Sequence, residues 1–191
     1  MAHVLVVGGT GMLKKVSLFL AAHDNVVSVI ARTKSDLLAL KKEAETFIGR
    51  INPLQLNYRD QEALTTQLET AIQTHGPLTM VVNWMHAHAL ESATAIAEIL
   101  NRTSPICRYF QILPTIGGDD QSDHAYYNDP FAHLNKVLYR KVILGFIIEQ
   151  GMSRWLSKAE IGDGIIDVLQ NDKRDVVIGT LEPWEERPKS A

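Results

Sequence analysis

Short apolar runs alternate with longer amphipathic stretches along most of the chain. The first run, residues 4–7, ends at the glycines Gly8, Gly9 and Gly11, and an amphipathic stretch follows at residues 12–22. A continuous apolar run bounded by glycines predicts a strand, and apolar positions three and four residues apart predict a helix. The same unit then repeats. It predicts further strands at residues 26–30, 51–56, 78–82 and 107–113, and further helices at residues 35–47, 60–74 and 90–100.

This alternation also predicts how the elements assemble. The strands are apolar throughout rather than at every second position, so both faces of their sheet must be covered. Strands that alternate with helices are typical of an α/β protein with a doubly wound parallel sheet. We therefore predict a Rossmann fold in a single domain at residues 1–180, followed by a charged, proline-containing tail at residues 181–191.

The pattern is less regular after Pro114. Residues 115–129 are rich in Gly, Asp, Ser and His, which predicts a long loop. Loops of this length in compact domains are usually functional or mobile. A brief helical stretch is expected at residues 130–138, and an apolar run predicts a sixth strand at residues 142–148.

The last part of the chain carries one clear helix signal. Ser157 and Glu160 have the S-x-x-E spacing of a capping box, which predicts a helix that begins there and ends near Gln170. A β-branched run predicts a final strand at residues 176–178. The tail from Leu181 has two prolines and five charged residues, and we expect it to be poorly ordered.

Composition excludes several classes of function. The chain has 191 residues, with 19 Lys and Arg against 22 Asp and Glu and a formal net charge of −3, so a broad nucleic-acid surface is not expected. The single cysteine, Cys107, lies in a predicted strand, where a thiol is inert packing. The sequence pattern predicts neither a signal peptide nor a membrane-spanning stretch. These features predict a soluble cytoplasmic protein that binds neither nucleic acid nor membrane.

The glycine-rich segment after the first strand is the strongest candidate for a binding site. Glycines between a strand and a helix let the backbone bend sharply and let a pyrophosphate approach the positive end of the helix. Lys14 occupies the place of the last glycine of the motif, so the helix must sit slightly off the strand or the lysine must point outward. An ordinary tight turn is the alternative. The predicted cofactor-binding residues of this turn are Gly8, Gly9, Thr10, Gly11, Met12 and Leu13.

The end of the second strand predicts which dinucleotide is bound. An NAD-binding protein usually has an acid here for the ribose 2′-hydroxyl, but this chain has no carboxylate before Asp36. Arg32, Thr33 and Ser35 instead suit a 2′-phosphate through charge-assisted hydrogen bonds. The residues therefore favour NADP over NAD. The alternative is a solvated helix start with incidental basic residues, although cations there oppose the helix dipole.

Polar and aromatic residues also follow the third and fourth strands. Asn57 and Tyr58 follow the third strand, and Asn83 and Trp84 follow the fourth. The carboxyl edge of such a sheet is where adenine and nicotinamide-ribose contacts occur. Asn57 is a candidate for adenine, and the two aromatic rings are candidates for stacking on the cofactor or closing the pocket. Asn83 could equally satisfy a loop backbone.

The glycine turn, Arg32, Asn57 with Tyr58, and Asn83 resemble, in this order and spacing, the short-chain dehydrogenase/reductase superfamily. The similarity is greatest to its extended, atypical and NmrA-like branches and extends to about Ile178. It implies a Rossmann fold, a nicotinamide cofactor and, as in many members, a homodimer or homotetramer. It also implies an oxidoreductase that acts on a small carbonyl or alcohol.

One family motif is missing. Family enzymes have a serine or threonine after strand five and Tyr-x-x-x-Lys on the following helix, where the lysine lowers the tyrosine pKa for proton exchange. Thr115 stands near the serine position. Tyr126, Tyr127 and Tyr139 each lack a lysine four residues later, and Lys141 is only two residues after Tyr139. On a helix these two side chains would point apart, whereas on a strand they would share a face.

The histidines offer a further candidate proton donor. His86 and His88 follow the fourth strand, and His124 and His133 lie in or beside the long loop. No spacing typical of a metal site supports a metal ion, so none is predicted. The remaining alternatives are a proton donor in place of tyrosine and loop histidines without chemistry.

Two functions are consistent with these residues. In the first, the chain is an NADP-dependent oxidoreductase in which Thr115 polarises the substrate carbonyl and Tyr127, Tyr139 or His133 donates the proton. In the second, it is a non-catalytic NADP-binding module similar to NmrA-like sensors, in which loop residues 115–130 report the cofactor state to a partner. The missing lysine favours the second function, but the short-chain class that the chain resembles is mostly catalytic, so we expect the first.

Overall fold

A seven-stranded parallel sheet forms the centre of the molecule, in a computed structural model that describes residues 1–85, 89–115 and 128–189. The strands are β1 (Ala2–Val7), β2 (Asn25–Ala31), β3 (Arg50–Gln55), β4 (Leu78–Asn83), β5 (Cys107–Pro114), β6 (Val137–Leu144), β7 (Phe146–Glu149), β8 (Met152–Trp155) and β9 (Asp175–Ile178). The helices are α1 (Lys14–Ala22), α2 (Lys34–Glu43), α3 (Gln61–His75), α4 (Leu90–Thr103) and α5 (Lys158–Gln170).

The strand order confirms the predicted fold class. The sheet runs β3-β2-β1-β4-β5-β6-β9, with every neighbouring pair parallel. The chain builds outward from β1 to β3 and then crosses to β4 on the other side of β1. Helices α1, α2 and α5 cover one apolar face of the sheet, and α3 and α4 cover the other. The order therefore reverses between β1 and β4, where proteins of this architecture bind ligands.

The short helix predicted at residues 130–138 is wrong. Residues 130–133 form turns, and β6 begins at Val137. The sequence pattern did not predict that β6 begins at Val137, because Arg140 and Lys141 interrupt the apolar run. Arg140 is nevertheless buried, since its guanidinium donates two hydrogen bonds to the carboxylate of Asp172, at 3.2 and 3.1 Å. A partner distant in sequence thus makes a charged residue compatible with a buried position in the sheet.

The predicted sixth strand, residues 142–148, is in fact two strands separated by Gly145. A Cβ atom at Gly145 would overlap the carbonyl oxygen of Thr180, so the chain passes too close there for any side chain. Beyond it, β7 turns back through Gln150 and Gly151, at φ 52° and 76°, to pair with β8. Two consecutive positive φ values are typical of a two-residue hairpin turn. The sequence analysis missed this hairpin.

The capping box that opens α5 is confirmed. The backbone N–H of Glu160 donates to Ser157 Oγ at 3.2 Å, and the N–H of Ser157 donates to Glu160 Oε2 at 2.8 Å. Arg154 of β8 also donates to both oxygens of Glu160, at 2.9 Å each. These hydrogen bonds hold the pKa of Glu160 at about 2 and tie the hairpin to the start of the helix.

Residues 181–189 of the predicted tail contain a single turn of 3-10 helix at Trp184–Glu186. The guanidinium carbon of Arg187 lies 4.4 Å from the centre of the Trp184 ring, a cation–π contact. The boundary between domain and tail at residue 180 stays a prediction. Among the described residues, every helix is too short or too polar to reach across a lipid bilayer.

Cys107 lies at the start of β5 and is completely buried. Burial disfavours the charged thiolate and raises the pKa of this thiol to about 12. The expected role as inert packing agrees with this environment.

A chain of polar side chains crosses the sheet near its amino end. His3 is 2% exposed, and its Nδ1 lies 2.8 Å from the carbonyl oxygen of Gly76. Because a carbonyl only accepts, Nδ1 carries the proton, and Nε2 accepts from the Ser28 hydroxyl at 2.8 Å. Ser28 Oγ in turn accepts from Asn52 Nδ2 at 2.9 Å. Burial disfavours the charged ring and lowers the pKa of His3, so the imidazole is neutral near pH 7 and Nε2 is free to accept.

We expect stability to fall as the pH is lowered from about 6.5, the ordinary histidine pKa. The unfolded chain then binds a proton that folded His3 does not, so acid favours unfolding, with a slope of at most about 1.4 kcal/mol per pH unit for one proton. Urea unfolding at a series of pH values between 7.5 and the onset of carboxylate titration measures this slope. His3→Gln should reduce it, whereas an unchanged slope would assign the effect to another group.

Candidate functional site

A cleft of about 490 Å³ lies along the carboxyl ends of β1, β2 and β3. Nine residues predicted to bind the cofactor line it, and the structure adds five further lining residues. The nine are Gly8, Thr10, Gly11, Met12, Arg32, Thr33, Asn57, Tyr58 and Trp84. The five are Ile30, Ala31, Asp36, Leu56 and Arg59.

Gly8 shapes the start of this cleft. Its φ is 78°, a left-handed conformation that favours glycine, and its N–H donates to the carbonyl oxygen of Ile30 at 3.0 Å. A Cβ atom at Gly8 would lie 3.1 Å from the carbonyl oxygen of Trp84. The turn therefore brings bare backbone to the point where β1 and β4 end side by side.

Gly9 does not line the cleft but holds α1 against the sheet. A Cβ atom there would lie 2.6 Å from Ser17 Oγ and 2.7 Å from a methyl carbon of Val29. The Ser17 hydroxyl donates to the carbonyl oxygens of Gly9 and Leu13, at 3.0 and 3.2 Å. Leu13 is buried in the same cluster. Gly9 thus provides the close contact between helix and strand that the last glycine of the motif usually provides.

Lys14 shows how the chain accommodates a lysine at that last position. Its side chain is 46% exposed, and its ammonium lies 2.7 Å from a carboxylate oxygen of Glu43 in α2. The lysine therefore points outward, one of the two arrangements expected from the sequence.

The two arginines of the cleft are free of carboxylate partners. Arg32 directly follows β2 and Arg59 follows Tyr58, and no carboxylate of the described residues lies within 4.0 Å of either guanidinium. By contrast, four other arginines pair with acids. They are Arg102, Arg108, Arg140 and Arg154. An exposed cleft with two unpaired guanidinium groups favours an anionic ligand.

The sequence analysis did not include Arg59 or Asp36 in the site. Arg59 could have been found, because it directly follows two residues placed at the carboxyl edge. Asp36 lies in the first turn of α2, where a carboxylate is favourable for the helix dipole, and it brings a negative charge to the same cleft. Ser35 is exposed on that helix but does not line the cleft.

Asn57 and Tyr58 occupy the outer wall. Asn57 is exposed, and its Oδ1 accepts from the backbone N–H of Arg59 at 3.2 Å. This bond orients the amide and leaves its NH₂ group at the cleft. Tyr58 is half-buried and packs on the apolar cluster under α3 and α4.

Asn83 lies away from the cleft, on the sheet face that α3 and α4 cover. It is fully buried, and its Nδ2 donates to the Tyr109 hydroxyl at 2.9 Å and to Gln111 Oε1 at 2.8 Å. Its Oδ1 has no hydrogen-bond partner within the described part of the chain. The side chain therefore links β4 to β5 instead of satisfying a loop backbone.

The predicted catalytic residues are dispersed. Thr115 follows β5, and its hydroxyl donates to the carbonyl oxygen of Leu144. Tyr139 lies on β6 and contacts the ring of Phe131, with centroids 5.7 Å apart. His133 is exposed. Tyr127 lies outside the described residues, as do Tyr126, His86, His88 and His124.

Tyr139 and Lys141 both lie on β6, where their spacing places them on the same face. Lys141 Nζ is 3.7 Å from a carboxylate oxygen of Asp175. No α-helix is formed by the described residues between β5 and β6, namely 115 and 128–136. The arrangement therefore differs from a Tyr-x-x-x-Lys helix. Within the described ranges, no group of three or more His, Cys, Asp or Glu could hold a metal ion.

Comparison with solved structures identifies the fold. The citronellol catabolism dehydrogenase of Pseudomonas aeruginosa matches with a TM-score of 0.72, at 16% identity over 92% of each chain. A short chain dehydrogenase from Bacillus anthracis matches with a TM-score of 0.71, at 14% identity over 98% of each chain. A beta-ketoacyl-ACP reductase from Bacteroides thetaiotaomicron matches with a TM-score of 0.69, at 15% identity over 93% of this chain and 96% of that one.

The structural neighbours are short-chain dehydrogenases/reductases, and the likeness covers most of the chain. The protein therefore has the Rossmann fold of these enzymes, as the sequence resemblance predicted. Neither a comparison with protein-family models nor one with curated protein sequences finds a match.

The close contact at Gly9 predicts that alanine substitutions at Gly9 and Gly11 differ in their effect on stability. We expect Gly9→Ala to lower the free energy of unfolding by about 1–3 kcal/mol, because the new methyl group must displace Ser17 or Val29. Gly11→Ala is the matched control, since a Cβ atom there meets nothing within 4 Å, and we expect a change of about 0.5 kcal/mol or less. Urea unfolding measures both. Equal losses would contradict the assignment of Gly9 as the packing residue.

We also expect substitutions of Asn83 and Asn57, which lie at or after strand ends, to differ in their effect on the free energy of unfolding. Asn83→Ala removes an amide that donates to the buried Tyr109 hydroxyl and to the side-chain carbonyl oxygen of Gln111, and we expect a loss of about 1–3 kcal/mol in the free energy of unfolding. Asn57→Ala, at an exposed position, should cost less than about 1 kcal/mol. The same unfolding measurement compares them. A larger loss of unfolding free energy for Asn57→Ala than for Asn83→Ala would contradict the stabilising role of the Asn83 hydrogen bonds between β4 and β5.

Proposed function

We propose that the chain binds NADP(H) in the cleft at the ends of β1, β2 and β3 and acts as an oxidoreductase on a small carbonyl or alcohol. The observation that supports it best is the composition of the cleft. A bare glycine turn forms one side, and two arginines that have no carboxylate partner among the described residues form the other. This combination suits a ligand that carries one phosphate group near the glycine turn and another near the arginines.

The glycine turn is suited to the pyrophosphate. Gly8 has a left-handed backbone that favours glycine, and Gly11 faces open space, so a phosphate can approach the backbone at Gly11. Helix α1 begins with Lys14 and Lys15, and its first turn has no acidic residue. The positive end of the helix dipole is therefore not neutralised by a side chain of its own first turn.

The arginines favour a 2′-phosphate over a 2′-hydroxyl. Arg32 and Thr33 stand at the end of β2, where the adenosine ribose lies in this architecture, and Arg59 faces the same cleft from the end of β3. Asp36 opposes them, because its carboxylate repels a phosphate and could accept a bond from a ribose hydroxyl. With two cations against one anion, the cleft favours NADP. Asn57 and Tyr58 would contact adenine.

The chemistry would take place beyond the cleft, at the ends of β4 and β5. A bound nicotinamide supplies or accepts a hydride. Thr115 is the candidate to hold the substrate oxygen. While its hydroxyl donates to Leu144 it can accept from the hydroxyl of an alcohol substrate, and to bind a carbonyl oxygen it must turn its proton from Leu144 to the substrate. Tyr127, Tyr139 and His133 remain the candidate proton donors. The homodimer or homotetramer implied by the resemblance also stays a prediction.

A second candidate function is a non-catalytic NADP-binding module. One observation favours it: the described residues between β5 and β6 form no helix that could carry a tyrosine and lysine four residues apart. The two functions differ in a simple assay. An oxidoreductase accelerates NADPH oxidation when small aldehydes or ketones are added, whereas a binding module does not.

Titration with NADPH and NADH tests the proposed site. We expect NADPH to bind more tightly, and Arg32→Ala and Arg59→Ala each to weaken NADPH binding by about tenfold, or 1.4 kcal/mol, because each removes a charged hydrogen-bond donor. NADH binding should change little. Asp36→Asn should strengthen NADPH binding, since it removes the negative charge from the cleft.

Arg174→Ala is the matched control, because Arg174 is an exposed arginine next to β9 at the opposite side of the sheet. It makes the same change in net charge and should leave both affinities unchanged. If the protein binds neither dinucleotide, the proposed function is wrong. If the arginine variants weaken NADPH and NADH equally, the preference for NADP is wrong while dinucleotide binding stands.

A further inference from the structure

Among the described residues, cations outnumber acids near the amino ends of β5, β6 and β9 and at the adjoining end of α5. Neighbouring strands of the sheet are parallel, so these amino ends lie at the edge opposite to the cleft. The cations are Arg108, Lys136, Arg140, Lys141, Lys173 and Arg174, and the acids are Asp167, Asp172 and Asp175. This edge is therefore positive, although the chain as a whole has a net charge of −3.

Each of the three acids already has a cationic partner. The pairs are Asp167 with Lys173 at 2.5 Å, Asp175 with Lys141 at 3.7 Å and Asp172 with Arg140 at 3.1 Å. Arg108 is 36% exposed, and its guanidinium is 3.9 Å from Asp172 Oδ1, too far for a hydrogen bond. Lys136 and Arg174 are exposed, and in the ranges that the structure describes no carboxylate lies within 4.0 Å of either. These three cations are accessible to an anion from outside the chain.

Asp172 orders the arginines of this edge before any partner binds. Its carboxylate lies in the turn between α5 and β9, and the two hydrogen bonds from buried Arg140 fix its position. These bonds, with the positive charges of Arg140, Arg108 and Arg174, lower the pKa of the Asp172 carboxyl. Three guanidinium groups thus lie near one ordered carboxylate. Order in the free protein reduces the entropy lost on binding.

An apolar side chain lies among these cations. Leu138 pairs with Arg108 in the register of β5 and β6, so the two side chains are neighbours on the same face of the sheet. Leu138 is 37% exposed, whereas Val142, farther along the same face of β6, is fully buried in the cluster under α5. Ile106, the residue before β5, is 58% exposed. The edge therefore offers apolar surface together with guanidinium groups, a combination that is enriched where proteins bind each other.

We propose that Arg108, Lys136, Leu138 and Arg174 form a docking surface, the amino-edge patch, for an acidic segment of a partner protein. Carboxylates of the segment accept hydrogen bonds from Arg108 and Arg174, and an apolar side chain of the segment packs on Leu138. The charge of the patch is complementary to such a segment. A second copy of this chain is a poorer occupant, because a symmetric contact would bring the same cations together.

The apolar centre of the patch favours a protein over a nucleic acid. A nucleic-acid surface is a broad area of cations that bind phosphates, whereas here only three accessible cations flank a leucine. The patch and the cleft lie at opposite edges of the sheet. The proposal therefore does not depend on the proposed function.

Amide NMR titration of the full chain tests the patch with a defined probe, a capped hexapeptide of four glutamates and two leucines. We expect millimolar binding that weakens as salt is added, because the contacting charges are exposed. The amides of residues 106–108, 136–138 and 172–175 should shift. The same hexapeptide with lysines in place of the glutamates should shift none of them, since like charges repel.

Substitutions in the patch measure its two components. Arg108→Gln and Arg174→Gln should each weaken binding of the acidic peptide by about threefold, and together by about tenfold, because each removes one exposed ionic contact. Leu138→Ser should weaken it by about threefold through the loss of apolar contact. Arg102→Gln is the matched control, since Arg102 is an exposed arginine that Glu69 already binds at 3.0 Å, and it should have no effect.

Several outcomes would overturn the proposal. It is wrong if the acidic peptide shifts no amide of the patch at millimolar concentration, or if Arg102→Gln weakens binding as much as Arg108→Gln. Heparin that binds the same amides far more tightly, with Leu138→Ser without effect on the peptide, would assign the patch to a polyanion instead. Shifts of these amides when the free protein is concentrated would assign it to contacts between copies of this chain.

Discussion

The close approach of the Gly9 backbone to Ser17 and Val29 is the contact on which the geometry of the candidate site depends. It fixes the start of α1 over the ends of β1 and β2, and so determines where the amides of the glycine turn point. Because Gly9 provides this contact, the motif tolerates Lys14 at its last position, with the side chain directed toward Glu43. A glycine turn between a strand and a helix can thus lose one glycine when a neighbouring glycine performs the packing.

Buried and half-buried polar side chains join neighbouring strands near the amino and carboxyl ends of the strands, on the face that α3 and α4 cover. His3, Ser28 and Asn52 connect β1, β2 and β3, while Asn83 and Gln111 connect β4 and β5. A shift of one residue in any of these pairings would turn the polar groups to the other face and leave them without partners. These hydrogen-bond networks therefore specify the pairing register of the strands on each side of the β1–β4 boundary. Apolar contacts alone would allow neighbouring strands to shift along each other.

The sequence predicted the fold and most of the cleft because their signals are local. Apolar runs mark β1 to β5, and the residues that follow each run lie at the carboxyl edge. The missed features depend on contacts between distant residues: Arg140 becomes acceptable in β6 only through Asp172, and Gly145 divides a continuous apolar run only because Thr180 lies against it. The inward orientation of Asn83 likewise depends on pairing with Gln111, which no local pattern shows.

The Cys107 thiol can report how often the buried part of the sheet around β5 becomes exposed to solvent. This thiol is the only one in the chain, is fully buried at the start of β5, and has a pKa raised to about 12 by burial. A thiolate is the reactive form, so an alkylating reagent meets an unreactive group until β5 separates from its covering helices. The rate of labelling in native conditions consequently measures how often the centre of the sheet becomes accessible to solvent, without any engineered probe.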